Sequence, residues 1–380
     1  MMKEHTKIFW SAVGLISGMI LGSGLFALPF AMRVSGVHWS LLFGAVAYFA
    51  VVTVQLAYGE VIVNTPGRHR LPGYVRRYLG TFAGRFESLN QILALNGILV
   101  GYALLAGIFL SKLFGGPVET WTLGFFVVSG ALLIGKATQI GEINLFLTVP
   151  LIVSLLAIAL TAGIRGSAAM LAFTPTAPFF IFAVFVFSLA GYTVIPDTYQ
   201  IFHGIKRNRF HLREAIIVGG AIPFLVSIIF GIGVLMASGT GVTSDAISGL
   251  IPVLGSGVVQ FGAALGLLAV FTSYLAIGYD LKELYTFDFK MRPVNAWVLA
   301  ALLPIVPFLF GAQNFINLIA LVGGLFIAID GIFIMLMLRT MRKKTPNYDS
   351  FLPLGRIHYV IVVAIFFISA LYEVFYQLVH

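Results

Sequence analysis

Cysteine is absent from all 380 residues, which excludes disulfide frameworks, thiolate metal sites and cysteine nucleophiles. Charge is scarce: 10% of the residues are Asp, Glu, Lys or Arg, against about 25% in ordinary soluble domains. No low-complexity tract, linker or stretch polar enough for a soluble domain interrupts the chain. There is no His-x-x-x-His pair, and His203, His211 and His358 fall near segment ends or in loops. An intramembrane enzyme would need a metal or nucleophile–base constellation at membrane depth, and the residues to build one are missing. A single-chain channel would want repeated pore helices or rings of charge, and neither is visible.

What remains is apolar. Hydrophobic residues make up 59% of the chain and recur in runs of about 20, the length that crosses a bilayer core. The pattern predicts about eleven spans: 8–31, 38–63, 89–111, 119–135, 143–163, 178–203, 213–238, 257–285, 294–312, 314–338 and 357–378. The first does not read as a cleavable signal, because it is too long, carries Pro29 and precedes no polar mature domain.

The net charge of +9 reads as topology. With the N-terminus inside, the cytoplasmic segments hold Lys3, Lys7, Arg68, Arg70, Arg76, Arg77, Arg85, Lys136, Lys206, Arg207, Arg209 and Arg213. Lys282, Lys290, Arg292, Arg339, Arg342, Lys343, Lys344 and Arg356 complete a set of 20 of the 23 basic residues. Only Arg33, Lys112 and Arg165 fall outside. Such asymmetry is the positive-inside signature. It places the chain in the cytoplasmic membrane with its C-terminus outside, in contact with lipid, and leaves nucleic acid no role.

Within the first span, "ILGSGLFALPF" (residues 20–30) puts two glycines, a serine and a proline where an unbroken helix would be expected. Glycine weakens a helix and proline removes a hydrogen bond, so the helix is expected to stop near Gly22–Gly24 and restart towards Pro29. Span 6 repeats the spacing: in "FSLAGYTVIPDTYQ", Gly191 precedes Pro196 by five positions, as Gly24 precedes Pro29. The two breaks lie 167 residues apart with four spans between them. Repeats of five spans have opposite orientation, and matching interrupted spans in inverted halves point to a midplane binding site of a secondary transporter. The repeats are expected at 8–163 and 178–338, with 357–378 as an additional helix. Uncapped half-helix N-termini suit a carboxylate, and freed carbonyls suit an ammonium group. A small zwitterion, simplest as an amino acid, is the implied substrate.

These residues carry a family resemblance. "GSGLFALP" resembles the first-span motif of the amino acid–polyamine–organocation superfamily, and "LAYGEVIVNTPGRHRLPGYVRRYLG" (56–80) is similar to its second span and following loop. "FVFSLAGYTVIP" and "FTSYLAIGYDLKELYTFDF" look most like hydroxy and aromatic amino acid permeases and amino acid/auxin permease relatives. The resemblance implies an all-α integral membrane fold of the LeuT type, a five-plus-five inverted repeat with discontinuous helices 1 and 6. It implies substrate contacts at Gly22, Ser23 and Gly24, and at Phe187, Ser188, Ala190, Gly191 and Tyr192. From span 3 it adds Tyr102, with Ile98 one turn earlier on the same face. It also implies a sodium site: Ala269, Thr272 and Ser273 match the span 8 pattern, and two span 1 carbonyls map onto Gly18 and Leu21. Span 5 holds no lysine to replace the ion. Na⁺ is thus the expected coupling ion, with H⁺ the alternative, and no other cofactor is expected. Thr272 and Ser273 have a plainer reading as hydroxyls bonded back to their own helix.

Ionisable residues within spans are functional candidates. Glu60 is expected to cap, or pair with, the basic 68–85 loop and to serve in gating. Asp197 is expected to form an inner-gate pair near Lys206–Arg209. Asp280 and Glu283 read as interfacial neighbours of Lys282. Asp330 is the deepest charge without an evident partner, either titrating in a proton-coupled cycle or sitting in a wet vestibule. Asn90, Gln91 and Asn96 share span 3 with Tyr102, Phe26 is a further candidate for the pocket, and Pro150 and Pro223 read as helix bends. Between spans 7 and 8, Ser244 is expected to cap a short lid helix running from Asp245 to about Leu254.

Overall fold

The computed structural model describes residues 2–67, 69–135, 140–172, 174–202, 208–345, 348–352 and 355–379. Arg68, Lys136, His203, Lys206 and Arg207 lie outside them. Among the described residues the chain is helical, without a β-strand. Eight helices are each long and apolar enough to cross a membrane, and a further crossing is the pair Thr6–Ile20 and Ser23–Ser35, bent by 53° where they meet. Two shorter apolar helices, Val118–Leu132 and Pro293–Leu309, fall where spans 4 and 9 are expected, so the order read from hydropathy is kept.

Span 1 comprises helix 1a (Met2–Ile20) and helix 1b (Ser23–Ser35). Span 6 comprises helix 6a (Phe180–Leu189), a 3-10 turn at Tyr192–Val194, and helix 6b (Ile195–Ile201). Span 2 is Val37–Val63, span 3 Thr81–Phe114, span 5 Ile140–Arg165, span 7 Asn208–Ser238 and span 8 Ser256–Phe287. Span 10 runs from Phe315 to Lys344 with a π-helical turn at Val322–Ile327, and span 11 is Arg356–Val379. Pro150 and Pro223 lie inside spans 5 and 7.

Span 3 is longer than the 89–111 expected. Gly80, at φ +96°, turns the chain out of the short helix Leu71–Leu79 and lets the next helix begin at Thr81. Hydropathy marks the apolar part of a helix, not where its hydrogen bonding starts, so residues 81–88 were hidden. Spans 3 and 6 form the interior, each with 78% of its apolar window buried, whereas span 11 is peripheral at 22%. Span 3 packs on spans 4, 8 and 10, span 8 on spans 3 and 5, and helix 1a on spans 5 and 7. The two broken spans meet each other, helix 1b against helix 6a.

Candidate functional site

Span 1 breaks one turn earlier than its glycines and proline predict. Helix 1a ends at Ile20 and helix 1b begins at Ser23, so only Leu21 and Gly22 are unwound and Pro29 sits inside helix 1b. No side chain caps the first turn of helix 1b. Gly24 is helical, and its role is proximity: a Cβ there would lie 2.6 Å from Ser188 Cα and 2.9 Å from the Phe187 ring. A Cβ on Gly22 would meet the Tyr102 hydroxyl at 2.9 Å. Pro196 differs from Pro29, because it stands in the first turn of helix 6b, where proline has no hydrogen bond to lose. The equal glycine–proline spacing in the two spans therefore hides different local structures.

The breaks enclose a narrow cavity lined by Met19, Ile20, Gly22, Gly24, Ile98, Tyr102, Phe187, Ser188, Ala190, Tyr192, Thr193, Ile277 and Ile327. Eight of the ten expected contacts are among them. Ser23 and Gly191 are not: Ser23 is fully buried, and Gly191 packs on Ile20 and Gln55. Nor is Phe26, whose ring lies edge-on to Phe109 and Phe230. Helix 6a ends in a cap that the sequence reading missed, the Gln55 amide donating to the Leu189 carbonyl at 2.8 Å. The Ser188 and Thr193 hydroxyls are buried and make no hydrogen bond within the protein. Both hydroxyls therefore belong to the polar part of the cavity wall. The sign of the helix ends completes the site. The positive end of helix 1b meets the negative ends of helices 1a and 6a.

The expected sodium ligands form two groups. Gly18 and Leu21 are buried at the end of helix 1a, which packs on spans 5 and 7, while Ala269, Thr272 and Ser273 share one buried face of span 8. Thr272 donates to the Ala269 carbonyl at 3.1 Å. The Ser273 hydroxyl lies beside that of Tyr102.

Towards the basic end of the molecule, a second small cavity lies under Tyr192 and Thr193, lined also by Tyr58, Arg70, Gln91, Leu95 and Asp280. Arg70, absent from the expected site, closes it. Its guanidinium reaches Asp280 at 3.1 Å, Asp197 at 3.4 Å and Glu283, which it meets through both Nε and Nη2. Asp197 is thus paired with Arg70. Asp280 and Glu283 are not merely interfacial, and Lys282 turns away to the Leu133 carbonyl at 2.8 Å. Burial works against the charge on Arg70, and the three carboxylates outweigh it, so its pKa rises. Beyond Arg70 a wider vestibule opens between His69, Gly73, Glu283, Phe287 and Asp288. Burial, and then the charge of Arg77, holds His69 below the ordinary imidazole value. Three acids at one end of spans 6 and 8, among many basic residues, were the available signal for Arg70.

Among the described residues, Glu60 pairs with none of the 68–85 loop. Its carboxylate accepts two hydrogen bonds from Arg342 of span 10, at 2.6 and 2.7 Å, and one from the Phe351 N–H at 2.8 Å. Asp330 is not without partners. It is completely buried and accepts from Asn90 at 2.6 Å, from Gln91 at 2.7 Å and from the Tyr192 hydroxyl. The Glu87 carboxyl, hidden by the late expected start of span 3, faces Asp330. The lid also differs: Asp245 takes the capping role, accepting from the N–H and hydroxyl of Ser248, and the short helical turns span Ser248–Leu250 and Ile251–Leu254.

Two interrupted spans joined across a cavity, in an all-helical membrane-spanning body, define a secondary transporter of the LeuT-type fold, not an enzyme. The chain matches the model of the tryptophan/tyrosine permease family over residues 5–373, and it belongs to that family. None of the curated proteins matches it. Among solved structures it is similar to MhsT in complex with L-phenylalanine, with a TM-score of 0.69 and 17% identity over 95% of this chain and 98% of that one. It is likewise similar to a manganese transporter of Eremococcus coleocola bound to an aromatic bis-isothiourea compound, at TM-score 0.68 and 15% identity over 96% and 86% of the two chains. Mhp1, a nucleobase-cation-symport-1 family transporter holding bromovinylhydantoin, is similar at TM-score 0.66 and 15% identity over 96% and 90%. At these identities the likeness is one of fold.

Proposed function

We propose that this protein moves a neutral L-amino acid with an aromatic or other hydrophobic side chain across the cytoplasmic membrane by alternating access. The observation that carries the reading is the shared cavity at the two breaks. The uncapped turn of helix 1b, with Tyr102 beside it, suits a carboxylate, and the ends of helices 1a and 6a suit an ammonium group. Apart from the Ser188 and Thr193 hydroxyls, the remaining wall is largely Met19, Ile20, Ile98, Phe187, Tyr192, Ile277 and Ile327, without a charged side chain. Such a wall accepts an apolar side chain and would leave a charged one unpaired. Residues 8–163 and 178–338 are the two inverted repeats in this reading, the basic end faces the cytoplasm, and the C-terminus lies outside.

An ion gradient drives the cycle. Na⁺ is the first reading, held by the carbonyls of Gly18, Leu21 and Ala269 with the hydroxyls of Thr272 and Ser273. The buried face of span 8 that Ala269, Thr272 and Ser273 share supports it. A second reading, H⁺, is favoured by the buried Asp330 with Glu87 facing it. Uptake of labelled L-tryptophan and L-tyrosine into proteoliposomes separates them. Saturable uptake that needs Na⁺, and that Thr272→Ala or Ser273→Ala makes more demanding of Na⁺, supports the first. Equal uptake driven by a pH gradient in sodium-free buffer replaces it with the second. Absence of saturable uptake and of counterflow for any neutral amino acid would sink the transport reading itself.

A further inference from the structure

We propose that Glu87 and Asp330 together form a one-proton binding site, and that its occupancy is tied to the substrate cavity through Tyr192. This deepens the transport reading above and rests on it for the coupling half only.

Asp330 receives three donors, Asn90, Gln91 and the Tyr192 hydroxyl. An ionised carboxylate is acceptor-only and takes about four such bonds, so the three donors suit Asp330 as the ionised partner and leave it one acceptor position for a proton on Glu87. Glu87 is fully buried one turn before Asn90 and Gln91, on the face of span 3 from which both reach Asp330, and neither of its oxygens is engaged by a protein donor. Two adjacent carboxyl groups removed from water do not both ionise. The arrangement is completed when Glu87 carries a proton and turns its O–H to Asp330. Among the described residues, no cation acts on either carboxyl. Span 6 contributes Tyr192, and span 3 the neutral amides Asn90 and Gln91. Arg76, packed on Gly84 one turn below, interacts with Asp288, and Tyr285 of span 8 interacts with Asn96. Arg342 of span 10 is taken by Glu60, and Arg70 by its three carboxylates.

Tyr192 is the link. It is the third residue after helix 6a, and its ring lines both the substrate cavity and the smaller cavity above Arg70. Loss of the proton from Glu87, by way of Asp330 and its partners Gln91 and Tyr192 that line the smaller cavity, leaves two facing carboxylates. Their repulsion is relieved when Asp330 withdraws from Glu87 and from Tyr192, which frees the residue that shapes the broken span. Proton release and reshaping of the cavity are then one event.

Two measurements on the full-length purified protein test this. The infrared carbonyl band of protonated carboxyl groups, followed in detergent without substrate, is expected at neutral pH in the wild type and diminished in Glu87→Gln. The same loss is expected when Glu87→Gln is made in a Glu373→Gln background, which removes another buried carboxyl with an unengaged oxygen. A Glu87→Gln spectrum that keeps the whole band overturns the site. Calorimetric titration with L-tryptophan in buffers of different ionisation enthalpy reads protons taken up or released on binding. A net proton change in the wild type, abolished in Glu87→Gln with the affinity made independent of pH, is the expected result. Binding without any proton change in the wild type overturns the link to the cavity. If no amino acid binds at any pH, the transport reading fails while the infrared result still decides the proton site.

Discussion

A single hydrogen on Gly24 separates the two broken spans. Its replacement by a methyl group would press on Ser188 Cα at 2.6 Å and Cβ at 2.8 Å, and backbone cannot yield as a flexible side-chain end does. Gly24→Ala is expected to weaken binding of L-tryptophan by at least about tenfold, the equivalent of roughly 1.4 kcal/mol. Gly124→Ala, at a position with open space around it, should bind as the wild type does. Equal affinities for the two variants, measured by scintillation proximity, would show that the spans need not touch there. Gly24 also shows how far single residues were legible. The sequence marks it as a helix breaker, whereas in the structure Gly24 is helical and serves close approach. Composition marks where something unusual happens at a residue, and only the neighbour supplied by the fold says what.

At the scale of elements, the local signals were the readable ones. Apolar runs marked the spans, and the glycine- and proline-rich stretches marked the neighbourhood of the two interruptions, because helix formation is decided by residues a few positions apart in sequence. Pairings between elements were not legible. Glu60 and Arg342 are 282 residues apart, and nothing in spacing or periodicity connects them, so the nearby basic loop was the natural and incorrect partner. Asp330 failed for the same reason, its donors arriving from spans 3 and 6. The Glu60–Arg342 pair ties span 2 to span 10, and the Phe351 N–H adds the segment before span 11 to the same carboxylate. The Glu60 side chain is fully buried and that of Arg342 only 12% exposed. Removing one partner of such a pair costs about 3–5 kcal/mol, since the other charge is left stranded. Glu60→Gln should therefore lower the thermal midpoint in detergent by several degrees, read from the fluorescence of the purified protein on heating. Loss of stability should be matched by Arg342→Met. A midpoint unchanged in both variants would mean that the three segments are held by other contacts.

For the whole molecule, the order of cavities is the mechanism's outline. The substrate cavity, the smaller space under Tyr192, Arg70 and the wide vestibule follow one another towards the basic end, and Arg70 also lies within 3.4 Å of the Thr193 carbonyl in the break of span 6. A cation between three carboxylates from spans 6 and 8 draws those spans together; without it, Asp197, Asp280 and Glu283 repel one another. Arg70→Ala is expected to open the path from the vestibule to the smaller cavity. The chain's lack of cysteine makes this directly measurable, because one introduced thiol is the only thiol. Leu95→Cys, in the wall of the smaller cavity, should resist a membrane-impermeant maleimide in an otherwise wild-type chain. Combined with Arg70→Ala, it should react at least about tenfold faster, and only when the reagent is applied to inside-out vesicles. Equal rates would show that Arg70 does not close the path, and faster reaction in right-side-out vesicles would place the basic end outside the cell.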